Sequence, residues 1–194
     1  MRYIFNTFKK KEDISCAEYA LILDIKQRRK EYGDFIRGLS PIIFYLFKKM
    51  LKVNFNINID YYAPKDTWDK RRLEGSKVCS YLGCQEASDV KGFVYSSQLE
   101  KIITNAGKEN ESIPEDLLIV VKKLRGVEAD VRNIAAHQIV SVTDDMIKEL
   151  TDGYSSNGIM GLVKRAFGYA GLNVPEWYWN SYDEMNERII GKFL

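Results

Sequence analysis

The stretch SIPEDLLIVVKKLRGVEADVRNIAAH, residues 112–137, decides how this chain folds. Leu117, Leu118, Val121, Leu124, Glu128, Val131 and Ala135 recur at the three-and-four spacing of one helix face, mostly apolar. Ser112 followed by Glu115 has the form of a capping box, in which a hydroxyl and a carboxylate satisfy free amides at a helix start. Gly126 weakens this helix by about 1 kcal/mol relative to alanine. The segment ends in His137, the single histidine of a 194-residue chain, with Arg132 five residues and Asn133 four residues before it.

Outward from this segment the helical signals continue. Ser15 with Glu18 forms a second capping box, and Ala17, Ala20, Leu21 and Ile25 follow it at helical spacing, with a break near Gly33 or Gly38. Ser40-Pro41 opens the next helix, since proline in the first turn loses no needed amide. Ser97 with Glu100 and Ser181 with Glu184 mark two more starts, and another helix follows Ser156 and stops near Gly171. One segment dissents. VNFNINIDY, residues 53–61, alternates apolar and polar residues as a half-buried strand does, with GFVY, residues 92–95, as a possible partner. The expected fold class is mainly α, a helical bundle with a small β or extended excursion around residues 53–95, in one domain covering 1–194.

The composition, 45% apolar and 29% charged with four prolines, is that of a globular protein and excludes disorder as the main state. A net charge of +2 is too mild to establish a nucleic-acid partner, although local basic clusters matter more than the total. Cys16, Cys79 and Cys84 form no disulfide framework, which favours a reducing compartment. Cys79 and Cys84 lack a second ligand pair, so free thiols are the better reading than zinc, and no metal or cofactor is expected. The N-terminus lacks the apolar stretch of a secretory signal. The most apolar run, PIIFYLFKKML at residues 41–51, is broken by Lys48 and Lys49 and falls short of the roughly 20 residues that span a bilayer. A cytoplasmic protein with no membrane partner is expected.

Basic residues occur in groups, and interleaved acids make most of them solvated helix faces. The groups expected to guide a phosphate backbone are Lys122, Lys123 and Arg125, upstream of Arg132 on one helix, and Lys164 with Arg165 on a later helix that can pack beside it. Trp177, Tyr178 and Trp179 after Pro175 are read as anchors of a loop or a partner surface.

Arg132, Asn133 and His137 suit RNA strand transesterification. A ribose 2′-OH attacks the adjacent phosphorus, so the step needs a proton acceptor, a proton donor for the leaving 5′ oxygen, and stabilisation of phosphate charge. Imidazole can take either proton role near neutral pH. A guanidinium offers two parallel donors to phosphate oxygens and stays charged. An amide can orient either partner. One imidazole cannot easily serve as both base and acid, so a C2 homodimer sharing two copies of this helix would complete the site, and the small Ala135 and Ala136 would permit close approach. Positions five apart lie about 140° around a helix, so Arg132 and His137 splay unless the helix bends, ends, or meets a second copy. Spacing alone leaves a structural histidine open beside a catalytic one.

The string RNIAAH resembles the Arg-x4-6-His signature of HEPN domains, with Asn after Arg and Ala before His. EYGDFIRGLSPIIFYLFKKML before it and GIMGLVKRAFGYAG after it are similar to the C-terminal ribonuclease domain of the type III CRISPR ancillary ribonucleases of the Csm-associated branch, with a long insertion at about 53–110. The resemblance implies a HEPN-like bundle and a metal-independent endoribonuclease acting on single-stranded RNA in antiviral defence. It also implies a composite homodimer site to which Arg132, Asn133 and His137 contribute. Family members usually carry an N-terminal sensor for cyclic oligoadenylate, and 194 residues leave no room for one, so such sensing is not expected in this chain. The competing readings are a non-catalytic dimerising RNA- or protein-binding module, and the toxin of a toxin–antitoxin pair.

Overall fold

The computed structural model describes residues 8, 10–90, 92–137 and 141–191; the side chains of residues 132–137 and of residue 189 lie outside that description. The described chain is almost wholly helical. Its elements in order are α1 (Lys11–Arg28), α2 (Tyr32–Arg37), α3 (Leu39–Phe55), α4 (Ile59–Tyr62), α5 (Lys70–Leu73), α6 (Lys77–Leu82), α7 (Ser96–Lys108), α8 (Glu115–His137), α9 (Asp144–Leu150), α10 (Ser156–Tyr169), α11 (Glu176–Trp179) and α12 (Ser181–Ile190).

α3 sits at the centre because it is apolar on most of its circumference. Leu39, Ile42, Ile43, Leu46, Phe47, Met50 and Leu51 are all buried, and the helix packs against α1, α7, α8 and α10. A helix with so broad an apolar stripe is stable only when surrounded. α8 buries the face expected of it: Leu117, Val121, Leu124, Glu128 and Val131 are buried, Val120 and Val127 widen the stripe, and Leu118 packs at its edge. Ala135 belongs to the residues whose side chains are not described. Gly126 falls on the exposed side, and a Cβ built there would meet nothing within 4 Å. The Gly126→Ala variant is expected to gain about 1 kcal/mol of stability from reduced backbone entropy in the unfolded chain. The midpoint of urea denaturation reads this, and an unchanged or lower midpoint would contradict it.

Several boundaries differ from those expected. α1 begins at Lys11, placing Glu12 and Asp13 in its first turn, where carboxylates complement the helix dipole, and Ser15 lies inside the helix instead of capping it. α7 begins at Ser96, where Gln98 Oε1 accepts the Tyr95 N–H at 2.9 Å and the Trp68 indole N–H at 3.1 Å. The bend at Gly38 brings α1 against the α2–α3 junction: Tyr19 donates to the Gly38 carbonyl at 3.0 Å, and a Cβ on Gly38 would stand 2.4 Å from Leu23.

The strand expected over 53–61 does not form. Residues 53–55 finish α3, Asn56 takes the left-handed conformation (φ 55°), and the Ile57 N–H returns to the Leu51 carbonyl at 3.0 Å. Asn54 donates to the carbonyls of Met50 at 3.0 Å and Tyr169 at 2.8 Å. These backbone groups are satisfied by a helix end, so no neighbouring strand is needed. The other half of the expected pairing is real but has a different partner. Phe93 forms an isolated antiparallel bridge with Thr67, flanked by Trp68 N–H to Gly92 O at 3.2 Å and Val94 N–H to Asp66 O at 2.8 Å.

Candidate active site

α8 is the longest helix among those described, and it carries RNIAAH at its C-terminal end, continuing helically to His137. The helical phase decides which way each motif position lies. At 3.6 residues per turn, positions 133 and 137 fall about 140° and about 180° around the axis from Glu128, which is buried. That is the side marked by exposed Lys122, Gly126, Ala129 and Asp130. Position 132 falls only about 40° from Glu128, at the edge of the buried face, in line with half-buried Arg125. α8 stays helical through residue 137, so it does not end between Arg132 and His137.

Glu128 belongs to this end of α8. Only 4% of its surface is exposed, its Oε2 has no hydrogen-bond partner among the described residues, and Arg125 Nη1 stands 3.7 Å away. It precedes Arg132 by four residues, the spacing at which helix side chains share a face. A buried carboxylate needs a cation or several donors to offset desolvation. The sequence signal for it was an acid in an otherwise apolar helical stripe.

The basic residues expected to guide RNA are used in different ways. Lys122 and Lys123 are both exposed on α8, with the Lys123 ammonium 5.3 Å from the centre of the Tyr154 ring. α10 does pack beside α8, as expected. Its two cations, however, have intramolecular partners. Lys164 meets the buried Asp24 carboxylate at 2.8 Å and lies 4.9 Å from the Trp179 ring centre. Arg28, one turn on in α1, pairs with the other oxygen of Asp24 at 2.8 Å, so this carboxylate, 3% exposed, has a cation at each oxygen, and the Lys164 contact ties α1 to α10. Arg165 pairs with Asp116 at the start of α8, and Tyr169 donates to the same carboxylate. Those two contacts hold the Asp116 carboxyl below its usual range, with the Arg165 bond the larger cause. Asp24 lies far in sequence from Lys164, and Asp116 from Arg165, so no local pattern flags these two contacts. Of the aromatic triplet, Tyr178 and Trp179 face the core, Trp179 edge-on to Phe167 at 5.7 Å, while Trp177 stays partly exposed.

Among the described residues no group of three or more His, Cys, Asp or Glu could hold a metal ion. No helix among them is long and apolar enough to cross a membrane.

A helical bundle whose longest described helix carries an Arg-Asn-x3-His motif has the architecture of a HEPN-type domain. The chain belongs to the Cas_Csm6 HEPN domain family, which matches residues 5–190. It is also similar to the CRISPR system endoribonuclease Csm6 of Mycobacterium tuberculosis (strain ATCC 25618 / H37Rv), with 22% identity over 183 residues. That match covers 90% of this chain and 38% of the relative's length.

Proposed function

We propose that this chain is a metal-independent endoribonuclease that cleaves single-stranded RNA in CRISPR type III defence, in a composite site formed by two copies of α8. The observation that carries the reading is RNIAAH on a helix that stays regular through position 137, in a chain of the Csm6 HEPN family. On that helix positions 132 and 137 diverge by about 140°. A second copy related by a twofold axis brings two imidazoles and two guanidiniums into one cleft, so that one imidazole can act as base while the other acts as acid. His137 takes or gives the proton at the 2′ or 5′ oxygen, Arg132 neutralises the charge that builds on the phosphate, and Asn133 orients the link. The products are a 2′,3′-cyclic phosphate and a 5′-OH. Lys122, Lys123 and Arg125 extend the positive potential upstream along the same helix. Lys164 and Arg165 contribute at longer range, while paired with Asp24 and Asp116.

Incubating the purified chain with 5′-labelled single-stranded RNA in excess EDTA tests this. Cleavage is expected to persist under chelation, to leave cyclic phosphate ends, and to vanish at a position carrying a 2′-deoxyribose. Cleavage that needs added magnesium, or that cuts the deoxy position, would refute the transesterification route. Retention of intact RNA would assign the chain instead to the non-catalytic binding class.

A further inference from the structure

Two thiols away from the candidate active site stand in contact. Cys79 lies in the last turns of α6, Cys84 lies just beyond the helix, and their Sγ atoms are 3.0 Å apart. The helix end builds this contact. Gly83 takes the left-handed conformation (φ 71°), which glycine adopts more readily than residues with a Cβ. The chain then doubles back in a Schellman motif: the Gly83 N–H donates to Ser80 O at 2.8 Å and the Cys84 N–H to Cys79 O at 3.3 Å. That motif usually places an apolar side chain beyond the helix against one in the last turn. Here both are cysteines. The Cys84 thiol also donates to the Cys79 carbonyl at 2.8 Å, which turns its sulfur inward.

The two sulfurs are unequal in access. Cys79 is 6% exposed, whereas Cys84 is partly exposed and lines a surface cavity of about 590 Å³ together with Gly83, Asp89, Gln98 and Lys101. A small disulfide can therefore reach Cys84 but not Cys79.

We propose that Cys79 and Cys84 form a dithiol site that closes to an intramolecular disulfide by exchange with a low-molecular-weight disulfide of the glutathione type. Cys84, as thiolate, attacks one sulfur of the oxidant, whose S–S bond breaks and releases one thiolate. The resulting mixed disulfide at Cys84 is then attacked by Cys79 as thiolate, forming the Cys79–Cys84 bond and expelling the second thiolate. The two protons given up by the cysteines end on the two released thiols. Both protein sulfurs are oxidised and one oxidant disulfide is reduced to two thiols. The sulfurs need to approach by only about 1 Å to reach the bonded distance of about 2.05 Å. The order of attack follows from access, with Cys84 at the cavity and Cys79 buried behind it; burial, then the neighbouring Cys84 thiol, also push the Cys79 thiol up. Cys16, buried and pushed up to about 12, serves as an internal control.

The test exposes the folded full chain to glutathione disulfide at neutral pH, followed by acid quench, alkylation and mass spectrometry of non-reduced tryptic peptides. The peptide spanning residues 78–91, which holds both thiols, is expected to lose two hydrogens and all alkylation, while Cys16 stays alkylatable. Closure is expected to run roughly tenfold or more faster in the folded chain than in urea, because the fold holds the sulfurs together. In Cys79→Ser the reaction should stop as a stable glutathione adduct on Cys84. A persistent adduct on Cys84 in the unmutated chain, a disulfide between two copies, or equal closure rates in urea would each overturn the proposal.

Discussion

Replacing His137 with alanine is expected to remove RNA cleavage, by roughly a hundred- to ten-thousand-fold, without lowering the unfolding midpoint. The size follows from the role. A general acid or base in the transition state contributes a factor of that order, and this chain offers no other histidine. The unchanged stability follows from position. Position 137 lies in α8 about 180° around the axis from buried Glu128, and alanine is the best helix former. Single-turnover cleavage at saturating protein, measured beside urea denaturation of the same preparation, separates the two effects. Undiminished cleavage would remove His137 from the chemistry and return it to the structural reading. In a shared cleft, exchanging excess His137→Ala protein into the unmutated chain should lower the rate below that of the unmutated chain diluted alone, because a mixed dimer holds one imidazole where two are needed. An unchanged rate per unmutated chain under exchange conditions would place each site within a single copy.

The Phe47→Ala variant should behave in the opposite way. Phe47 is fully buried on α3, the helix around which α1, α7, α8 and α10 are arranged. Removing the ring costs the transfer free energy of its atoms plus the cavity left behind, about 3–5 kcal/mol. Since a domain of this size is stabilised by only about 5–15 kcal/mol, that is a large share of the whole. The urea midpoint should fall accordingly. Cleavage should decline only as the folded fraction declines and return on cooling toward the stability maximum, which His137→Ala cannot do. A loss below about 1 kcal/mol would mean that α3 is not the centre of the core.

The helices were legible in the sequence because helical order is local: a period of 3.6 residues and its end signals lie within a few turns of each other. The buried stripe of α8, the opening of α3 near Pro41, the span of α10 and membership of the HEPN class could all be read from residue spacing and the RNIAAH string. The alternation at 53–61 was equally visible but misleading, since a helix end with Asn56 in the left-handed region produces the same short pattern as a strand. A strand needs a neighbour to pair with, and spacing along one segment carries no information about neighbours.

What the sequence determined by itself was therefore the class of fold and the three motif residues, because both are written within single helices. Only the tertiary structure decided that Lys164 is held by Asp24 and Arg165 by Asp116, that Trp179 turns into the core, and that two cysteines touch across a helix end. Each of these depends on where one helix or turn comes to rest against another. That placement is set by the sum of packing over the whole core, to which no single segment holds the key.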